Sequence, residues 1–290
     1  MALFADARCL VCQLERNIAT ARKLGTEEQA TAFAKDLMKL LADAPAGVPA
    51  PFFTPGVAKL FHEHYGLSMD RYAREKKDSN AFVLARLPQI RKKVFSAPDP
   101  VKAGLQFAIL GNYIDFAALR DEVSFERLDE MLETALEMEL DEQNYVNLCD
   151  ELRNGGKLLY LTDNAGEIGF DRVFAEAIHE KFPQVEITFC VRGGPAANDA
   201  TRKDAAEVGI PFPVIDNGNL VPGTLLELLG DDARKAMAEA DVILSKGQGN
   251  AETLLGCGYN IYYAFLVKCP LFVERFGKKK LTPMLVKERN

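Results

Sequence analysis

Cysteine is scarce in the sequence, with six residues in 290. That number is too small for a disulfide scaffold, so the sequence indicates a reducing, cytoplasmic compartment. No window holds the roughly 18 apolar residues that a membrane helix needs. The first residues, MALFADARCLVC, also lack the basic region and apolar run of a signal peptide. We therefore expect neither export nor a membrane partner.

Long basic runs are also absent. None is longer than the three residues Lys278, Lys279 and Lys280, and the formal net charge is -7. This balance argues against non-specific binding to nucleic acid or to a membrane surface. It does not exclude a small anionic substrate, because a metal ion can supply positive charge locally. With 48% hydrophobic and 27% charged residues, the composition is that of a globular protein with a full core.

Residues 1 to 150 carry helical patterns. Thr26 begins a capping box, Thr-Glu-Glu-Gln, before an apolar stripe. Further helices are predicted from residue 55 and over 68–93, 99–117 and 125–140. Pro88 is predicted to mark a kink or a boundary, and Ser124 to cap the helix that follows it. No segment alternates with period two, so we expect an all-helical N-terminal domain.

Residues 151 to 290 have a different pattern, in which strand, loop and helix repeat. Strands are predicted over 157–162, 185–191, 211–216, 241–246 and 262–268, with a short edge strand in KKKLTPML near the end. This repetition is typical of a parallel sheet with helices on its faces. The predicted fold is therefore α/β, a helical part followed by a Rossmann-like parallel-sheet domain.

Polar residues follow four of these strands where each ends. In an open parallel sheet, ligands bind at this edge. The four sets are DNAGE at 163–167, RGG at 192–194 with Asn198 and Asp199, DNGN at 216–219, and SKGQGN at 245–250. Each set alone is compatible with a helix cap or a turn, and 216–218 is interpreted as a plain turn. Four sets on one edge favour a binding site.

The residue types at this edge suit one kind of chemistry. Oxygen donors without histidine or cysteine favour a hard cation such as Mg²⁺ or Mn²⁺. Glycines let backbone N–H groups approach a phosphate, and Lys246 would add a point charge. Metal-assisted phosphoryl chemistry needs this combination of charge neutralisation and positioning.

These segments resemble the motifs of the metal-dependent damage-control phosphatases, formerly a domain family of unknown function. The resemblance rests on TDNAGEIGFD (162–171), RGGPAANDAT (192–201) and SKGQGNAETL (245–254). GNYIDF (111–116) is similar to a fourth motif, and CLVC (9–12) to the N-terminal Cys-x-x-Cys of the mostly prokaryotic subfamily. The two alanines of RGGPAANDAT depart from the pattern, in which larger apolar residues are expected.

The resemblance implies a helical part before an α/β metal-binding domain that hydrolyses small phosphate monoesters, such as sugar phosphates or damaged phosphometabolites. It implies a divalent metal, Mg²⁺ or Mn²⁺ with Co²⁺ or Ni²⁺ as alternatives, held by the residues matching Asp163, Asn164 and Asp199. The residue matching Lys246 would bind the substrate phosphate. A carboxyl methyltransferase and a non-enzymatic sensor of sugar phosphates or metal stay open as alternatives.

The catalytic set is predicted to be Asp163, Asn164, Glu167 and Asp199. Glu167 would orient water or act as a base, or it is only a first-turn acid favoured by the helix dipole. Asp199 could instead be an N-cap. The nucleophile is either a metal-bound water or an Asp that forms an aspartyl-phosphate.

Five residues are candidates for contact with the small phosphorylated substrate. Lys246 follows an apolar strand, and Asn250 contacts substrate or caps the next helix. Asn112 and Asp115 lie in an apolar segment interpreted as helix, where polar groups need partners. They are predicted to reach the pocket or to join the two halves. Arg192 is a phosphate ligand or an exposed strand end.

Cys9 and Cys12 form half of a zinc site, and His62 with His64 is the only histidine pair. A zinc ion held by both pairs is one hypothesis. A redox pair is less favoured, because a thioredoxin-like motif would lie beside a strand. The simplest interpretation is two packed thiols. The sequence leaves the oligomeric state open.

Overall fold

The computed structural model describes residues 4–119 and 122–287. Seven helices precede the first strand in these ranges. They are α1 Ala7–Leu24, α2 Glu27–Ala42, α3 Thr54–Tyr65, α4 Ala73–Phe95, α5 Pro100–Gly111, α6 Phe125–Glu133 and α7 Glu142–Asn154. The predicted all-helical N-terminal part is confirmed, and so are the capping box at Thr26 and the N-cap at Ser124.

The rest of the described chain forms a six-stranded sheet with helices on both faces. The strands are β1 Lys157–Leu161, β2 Glu186–Val191, β3 Val214–Asp216, β4 Val242–Lys246, β5 Ile261–Leu266 and β6 Pro283–Lys287. The helices are α8 Glu167–Lys181, α9 Arg202–Glu207, α10 Asp231–Glu239, α11 Gln248–Leu254 and α12 Pro270–Phe276. The α/β fold is confirmed.

The strand order is β3-β2-β1-β4-β5-β6, with β1 to β5 parallel and β6 antiparallel to β5. The predicted edge strand is therefore present, a few residues later than expected. Because β2 and β4 pair with opposite sides of β1, the order reverses at β1. Ligands of open α/β sheets bind at the carboxyl ends of the strands beside such a reversal.

Three helix boundaries differ from the sequence-based prediction. Helix α4 begins at Ala73 instead of 68 and continues to Phe95, so Pro88 does not mark a boundary. Buried apolar residues on both sides of Pro88, such as Val83 and Val94, offset the roughly 3 kcal/mol cost of an interior proline. Helix α5 ends at Gly111 instead of 117. Helix α6 ends at Glu133 instead of 140 and is followed by a short 3-10 turn.

The largest core cluster is continuous across residue 150. It contains Val83 and Leu105 from the helical part, with Tyr160 and Phe174 from the α/β part. Helices α10 to α12 cover the other face of the sheet, and α1 to α3 share a smaller core of their own. The division into two domains at 150 stays a prediction. Among the described helices, we found none with the length and apolar character needed to cross a bilayer.

We predict that Gly104→Ala destabilises the protein although alanine favours helices. A Cβ at Gly104 would lie 2.9 Å from Phe174 Cα, a backbone atom that cannot move aside. We expect this overpacking, about 1–3 kcal/mol, to outweigh a helix-propensity gain of about 1 kcal/mol. Thermal unfolding measures the effect.

Gly156→Ala is the matched control, because its nearest non-local contact is a side-chain oxygen of Asp241 at 3.6 Å. A Tm of Gly104→Ala equal to or above that of the control would contradict the close approach of α5 and α8.

Candidate functional site

The segments that follow β1 and β2 meet at the centre of the sheet edge. Asn164 and Asp199 form an isolated antiparallel bridge, and the backbone N–H of Ala200 donates to the carbonyl oxygen of Asp163 at 2.7 Å. The side chains of Asp163, Asn164 and Asp199 are all buried. The structure thus brings the three predicted metal ligands together.

The loop that follows β4 packs against the carboxylate of Asp163. Gly247 has a φ of +79°, and a Cβ at this position would lie 2.0 Å from Asp163 Oδ2. Glycine is required here for both conformation and space. The GQG loop therefore brings backbone directly against Asp163.

Asn112 connects the helical part to this site. It is the C-cap of α5 and not an interior helical residue as predicted. Its Nδ2 donates to Asp163 Oδ2 and Glu167 Oε2, both at 2.9 Å. Its Oδ1 accepts from the backbone N–H of Leu266 at 3.0 Å. Asn112 therefore both reaches the site and joins the two parts.

The carboxamide of Asn164 is oriented from both ends. Its Nδ2 donates to Asp163 Oδ2 and Glu167 Oε2, both at 2.8 Å. Its Oδ1 accepts from Asn198 Nδ2 at 2.7 Å. A carbonyl oxygen has two lone pairs, so one stays available to a cation.

Lys246 is completely buried. Its ammonium donates to the carbonyl oxygen of Ala108 at 2.9 Å, to Glu167 Oε1 at 2.8 Å and to Asp171 Oδ1 at 2.6 Å. An ammonium has three donors, so these bonds use all of them. Phosphate binding by Lys246 stays a prediction, but the lysine has no donor left for a ligand in this conformation.

Glu167 is the first residue of α8 and is also fully buried. It accepts hydrogen bonds from the side chains of Asn112, Asn164 and Lys246. The residues that line the adjacent cleft do not include it. Its placement suits positioning of the neighbouring amides, and the role of base stays a prediction.

Arg192 is fully buried, so the alternative of an exposed strand end is wrong. Its Nε donates to Asp199 Oδ2 at 2.6 Å, and its Nη2 donates to the carbonyl oxygen of Thr162 and to Asn250 Oδ1. Asn250 in turn donates to the carbonyl oxygens of Thr162 and Lys246. The N-cap of α9 is Thr201, so the N-cap interpretation of Asp199 is also wrong.

A cleft of about 630 Å³ opens onto these side chains. Asp115, Asp163, Asn164 and Asp199 contribute to its lining, opposite residues of α1. Asp115 lies four residues beyond the end of α5 and is outside any helix, in contrast to the prediction. The cleft has the size of a small-molecule site.

The cysteines of CLVC line the same cleft, together with Cys269. Cys12 is exposed, so the interpretation of two packed thiols is wrong for this residue. Burial raises the pKa of the Cys9 thiol to about 11, which opposes thiolate chemistry at neutral pH.

The zinc hypothesis is wrong for the described part of the chain. His62 Nδ1 lies 2.8 Å from the carbonyl oxygen of Leu67, and His64 Nε2 lies 2.8 Å from Asp36 Oδ2. Within residues 4–119 and 122–287, no group of three or more His, Cys, Asp or Glu side chains is arranged to hold a metal ion. The metal set predicted at the sheet edge contains two carboxylates and one amide.

Sequence reasoning missed Lys268, a buried lysine that lines the cleft. Its ammonium donates to Asp115 Oδ2 at 2.6 Å, and its backbone N–H donates to Gln248 Oε1 at 2.9 Å. Like Lys246, it lies at the end of an apolar strand segment. Lys268 could have been found by also considering the polar residue at the end of the fifth predicted strand.

The site carries excess negative charge. Across the described residues, six buried carboxyl groups are accompanied by four buried cations. Burial, with the charges of Asp199 and Glu167, raises the pKa of Asp163 well above its ordinary value. Burial also raises the pKa of Asp199 to about 6, against the attraction of Arg192. A bound divalent cation would balance two excess negative charges.

Most of this chain is similar to known proteins. Residues 5–282 match the family model described as the damage-control phosphatase ARMT1-like domain. An uncharacterized protein of Methanocaldococcus jannaschii is 30% identical over 280 residues, which are 93% of this chain and 90% of that protein. A damage-control phosphatase of Archaeoglobus fulgidus is 30% identical over 277 residues, 93% of this chain and 94% of that protein.

A third relative, the damage-control phosphatase PH1575 of Pyrococcus horikoshii, is 36% identical over 169 residues, 57% of this chain and 58% of that protein. The crystal structure of PH1575, described as a DUF89 family protein, superposes with a TM-score of 0.83 at 26% identity. The superposition covers 99% of this chain and all of that one.

We predict that Lys246→Met lowers stability by about 3–5 kcal/mol, because it leaves two carboxylates buried without their cation. The loss should grow between about pH 5 and pH 8. Even beside Lys246, the pKa of Asp171 is raised to about 7 by burial. Without the lysine this pKa rises further, so above about pH 7 the folded variant retains a proton that the unaltered protein releases, and the loss of stability grows.

Thermal unfolding at both pH values measures this effect. Lys157→Met is the matched control, since Lys157 pairs with Glu239 at the surface. An equal shift in the two variants, or a loss that shrinks at high pH, would refute the assigned role of Lys246.

Proposed function

Because this chain belongs to the damage-control phosphatase ARMT1-like family, we propose that it is a metal-dependent phosphatase of small phosphate monoesters, such as sugar phosphates or damaged phosphometabolites. The observation that carries the proposal is the pair of buried carboxylates, Asp163 and Asp199, at a cleft with excess negative charge. The relatives named as phosphatases favour this activity over the methyltransferase alternative.

Asp163, Asn164 and Asp199 would hold the cation, with Mg²⁺ or Mn²⁺ favoured by an all-oxygen donor set. When bound, the cation would neutralise charge on the phosphate and on the departing oxygen. The chain supplies the positioning. The amide groups of Asn112 and Asn164 orient Asp163, while Arg192 orients Asp199.

Lys268 is the proposed protein cation for the substrate phosphate. It lines the cleft beside Asp163 and Asp199, and Asp115 holds its ammonium in place. Lys246 would act indirectly, because it donates to Glu167 and Glu167 in turn accepts from Asn164. The phosphate-binding role that the resemblance implies for Lys246 is thereby proposed for Lys268 instead.

We predict that Asp163→Asn and Asp199→Asn each reduce metal-dependent phosphate release by at least about a hundredfold, the scale of losing one charge-stabilising group. The assay uses metal-stripped protein with p-nitrophenyl phosphate and a panel of sugar phosphates. Mg²⁺, Mn²⁺, Co²⁺ or Ni²⁺ is added back. Asp216→Asn is the matched control, because Asp216 also ends a strand but pairs with Arg202 outside the cleft.

Metal binding gives a second readout of the same site. Mn²⁺ should raise the Tm of the unaltered protein and of Asp216→Asn, because a ligand that binds only the folded state stabilises it. It should leave the Tm of Asp163→Asn nearly unchanged. Turnover that survives both site substitutions would place the chemistry elsewhere.

We also predict that Lys268→Met lowers kcat/KM by about 10- to 100-fold, the range for loss of a charged hydrogen bond. Inorganic phosphate should inhibit this variant more weakly by a similar factor. Lys268→Arg should retain part of the activity. Lys280→Met is the control, since Lys280 pairs with Glu122 at the surface. Unchanged phosphate inhibition in Lys268→Met would exclude the lysine as a phosphate ligand.

A further inference from the structure

A second cavity of about 150 Å³ adjoins the cleft. Five residues line both spaces: Gln13, Arg16, Thr54, Ala117 and Pro222. The volume is many times the ~10–15 Å³ that one water molecule needs. A ligand in the cleft could therefore extend one of its groups into this cavity.

The charges of the two spaces are opposite. The cleft is lined by several carboxylates, whereas the described lining of the second cavity contains two arginines, Arg16 and Arg71, and neither Asp nor Glu. The whole chain has 42 acidic and 35 basic residues. A cavity whose charged lining residues are all basic is therefore unexpected from the composition. This distribution indicates a place for an anion.

Neither guanidinium forms an ion pair with the described residues. Arg71 lies flat on Phe61, with Cζ 3.7 Å from the ring centroid, and desolvation by burial lowers its pKa. Arg16 places Nη1 4.0 Å from Cys12 Sγ. Other arginines of the helical part are paired, for example Arg86 with Asp129. A guanidinium has five donors in a planar fork that matches a phosphate.

We propose that this cavity is a second anion subsite, in which Arg16 and Arg71 bind a second phosphate group of the substrate. The preferred substrates are then small bisphosphorylated metabolites, with one phosphate at the carboxylate site and the other between the arginines. This inference rests on the proposed function and deepens it. The two sites differ in their source of positive charge, because the first would use a metal ion together with Lys268 and the second only the two arginines.

The loop after β2 contributes to both sites. Asp199 belongs to the carboxylate site, and Ala197 lines the second cavity with a left-handed φ of +49°. A non-glycine residue in this conformation is strained. Its short side chain occupies little of the cavity's volume.

The test measures binding and turnover of alkanediol bisphosphates, from propane-1,3-diol to hexane-1,6-diol, against alkyl monophosphates of equal length. Titration calorimetry uses Mg²⁺-loaded protein, with Arg16→Gln and Arg71→Gln as variants. Arg74→Gln is the matched control, because Arg74 is three residues from Arg71, exposed, and outside the cavity.

We expect at least one bisphosphate to bind about tenfold more tightly than its monophosphate, a difference of about 1.4 kcal/mol. Each cavity substitution should remove most of that preference, while Arg74→Gln retains it. Arg71→Lys should restore part of the preference, because it retains the charge and loses the fork.

Two results would overturn the proposal: no preference at any spacer length, or a preference that survives both substitutions in properly folded variants. Failure of the proposed phosphatase activity would look different. In that case no monophosphate or bisphosphate is hydrolysed with any metal, and calorimetry still reports whether the arginines bind the second phosphate.

Discussion

The ammonium of Lys246 is the interaction on which the architecture of the site depends. It leaves the end of β4, crosses to α5 at the carbonyl oxygen of Ala108, and binds two acids of α8. Three elements of the structure therefore meet at one buried charge. Such an arrangement is expensive to desolvate and is stable only when every donor has a partner, which is the case here.

The hydrogen bonds that begin at Lys246 continue to the carboxylate site. Glu167 accepts from Lys246 and from Asn164, and Asn164 also donates to Asp163. Asn112 enters the same network from the end of α5. The helical part therefore contributes directly to the site, since it supplies one of the groups that orient Asp163. A site held in this way is preorganised, because its amides and carboxylates already point in fixed directions.

Electrostatics sets the limits of what the site can bind. The buried acids outnumber the buried bases, and burial raises the pKa values of Asp163, Asp171 and Asp199. A cation at Asp163 and Asp199 would relieve this repulsion, whereas a bare phosphate would increase it. Lys268 and Arg16 supply positive charge in the lining of the cleft, and Arg16 and Arg71 supply it in the adjoining cavity. This distribution explains why an acidic cleft can serve a proposed anionic substrate.

The sequence by itself determined the fold class and the sheet edge of the site. Apolar strands alternate with helices, and parallel strands must deliver Asp163, Asp199 and Gly247 to the same edge because their carboxyl ends are adjacent. The sequence could not distinguish the two lysines, since both Lys246 and Lys268 follow an apolar run. The two side chains differ in direction and depth. Three acceptors surround the ammonium of Lys246, whereas Lys268 lines the cleft. Arg16 and Arg71 likewise line one cavity although they are more than fifty residues apart along the chain. Only tertiary packing decided these points, because partner and burial depend on elements that local sequence patterns do not record.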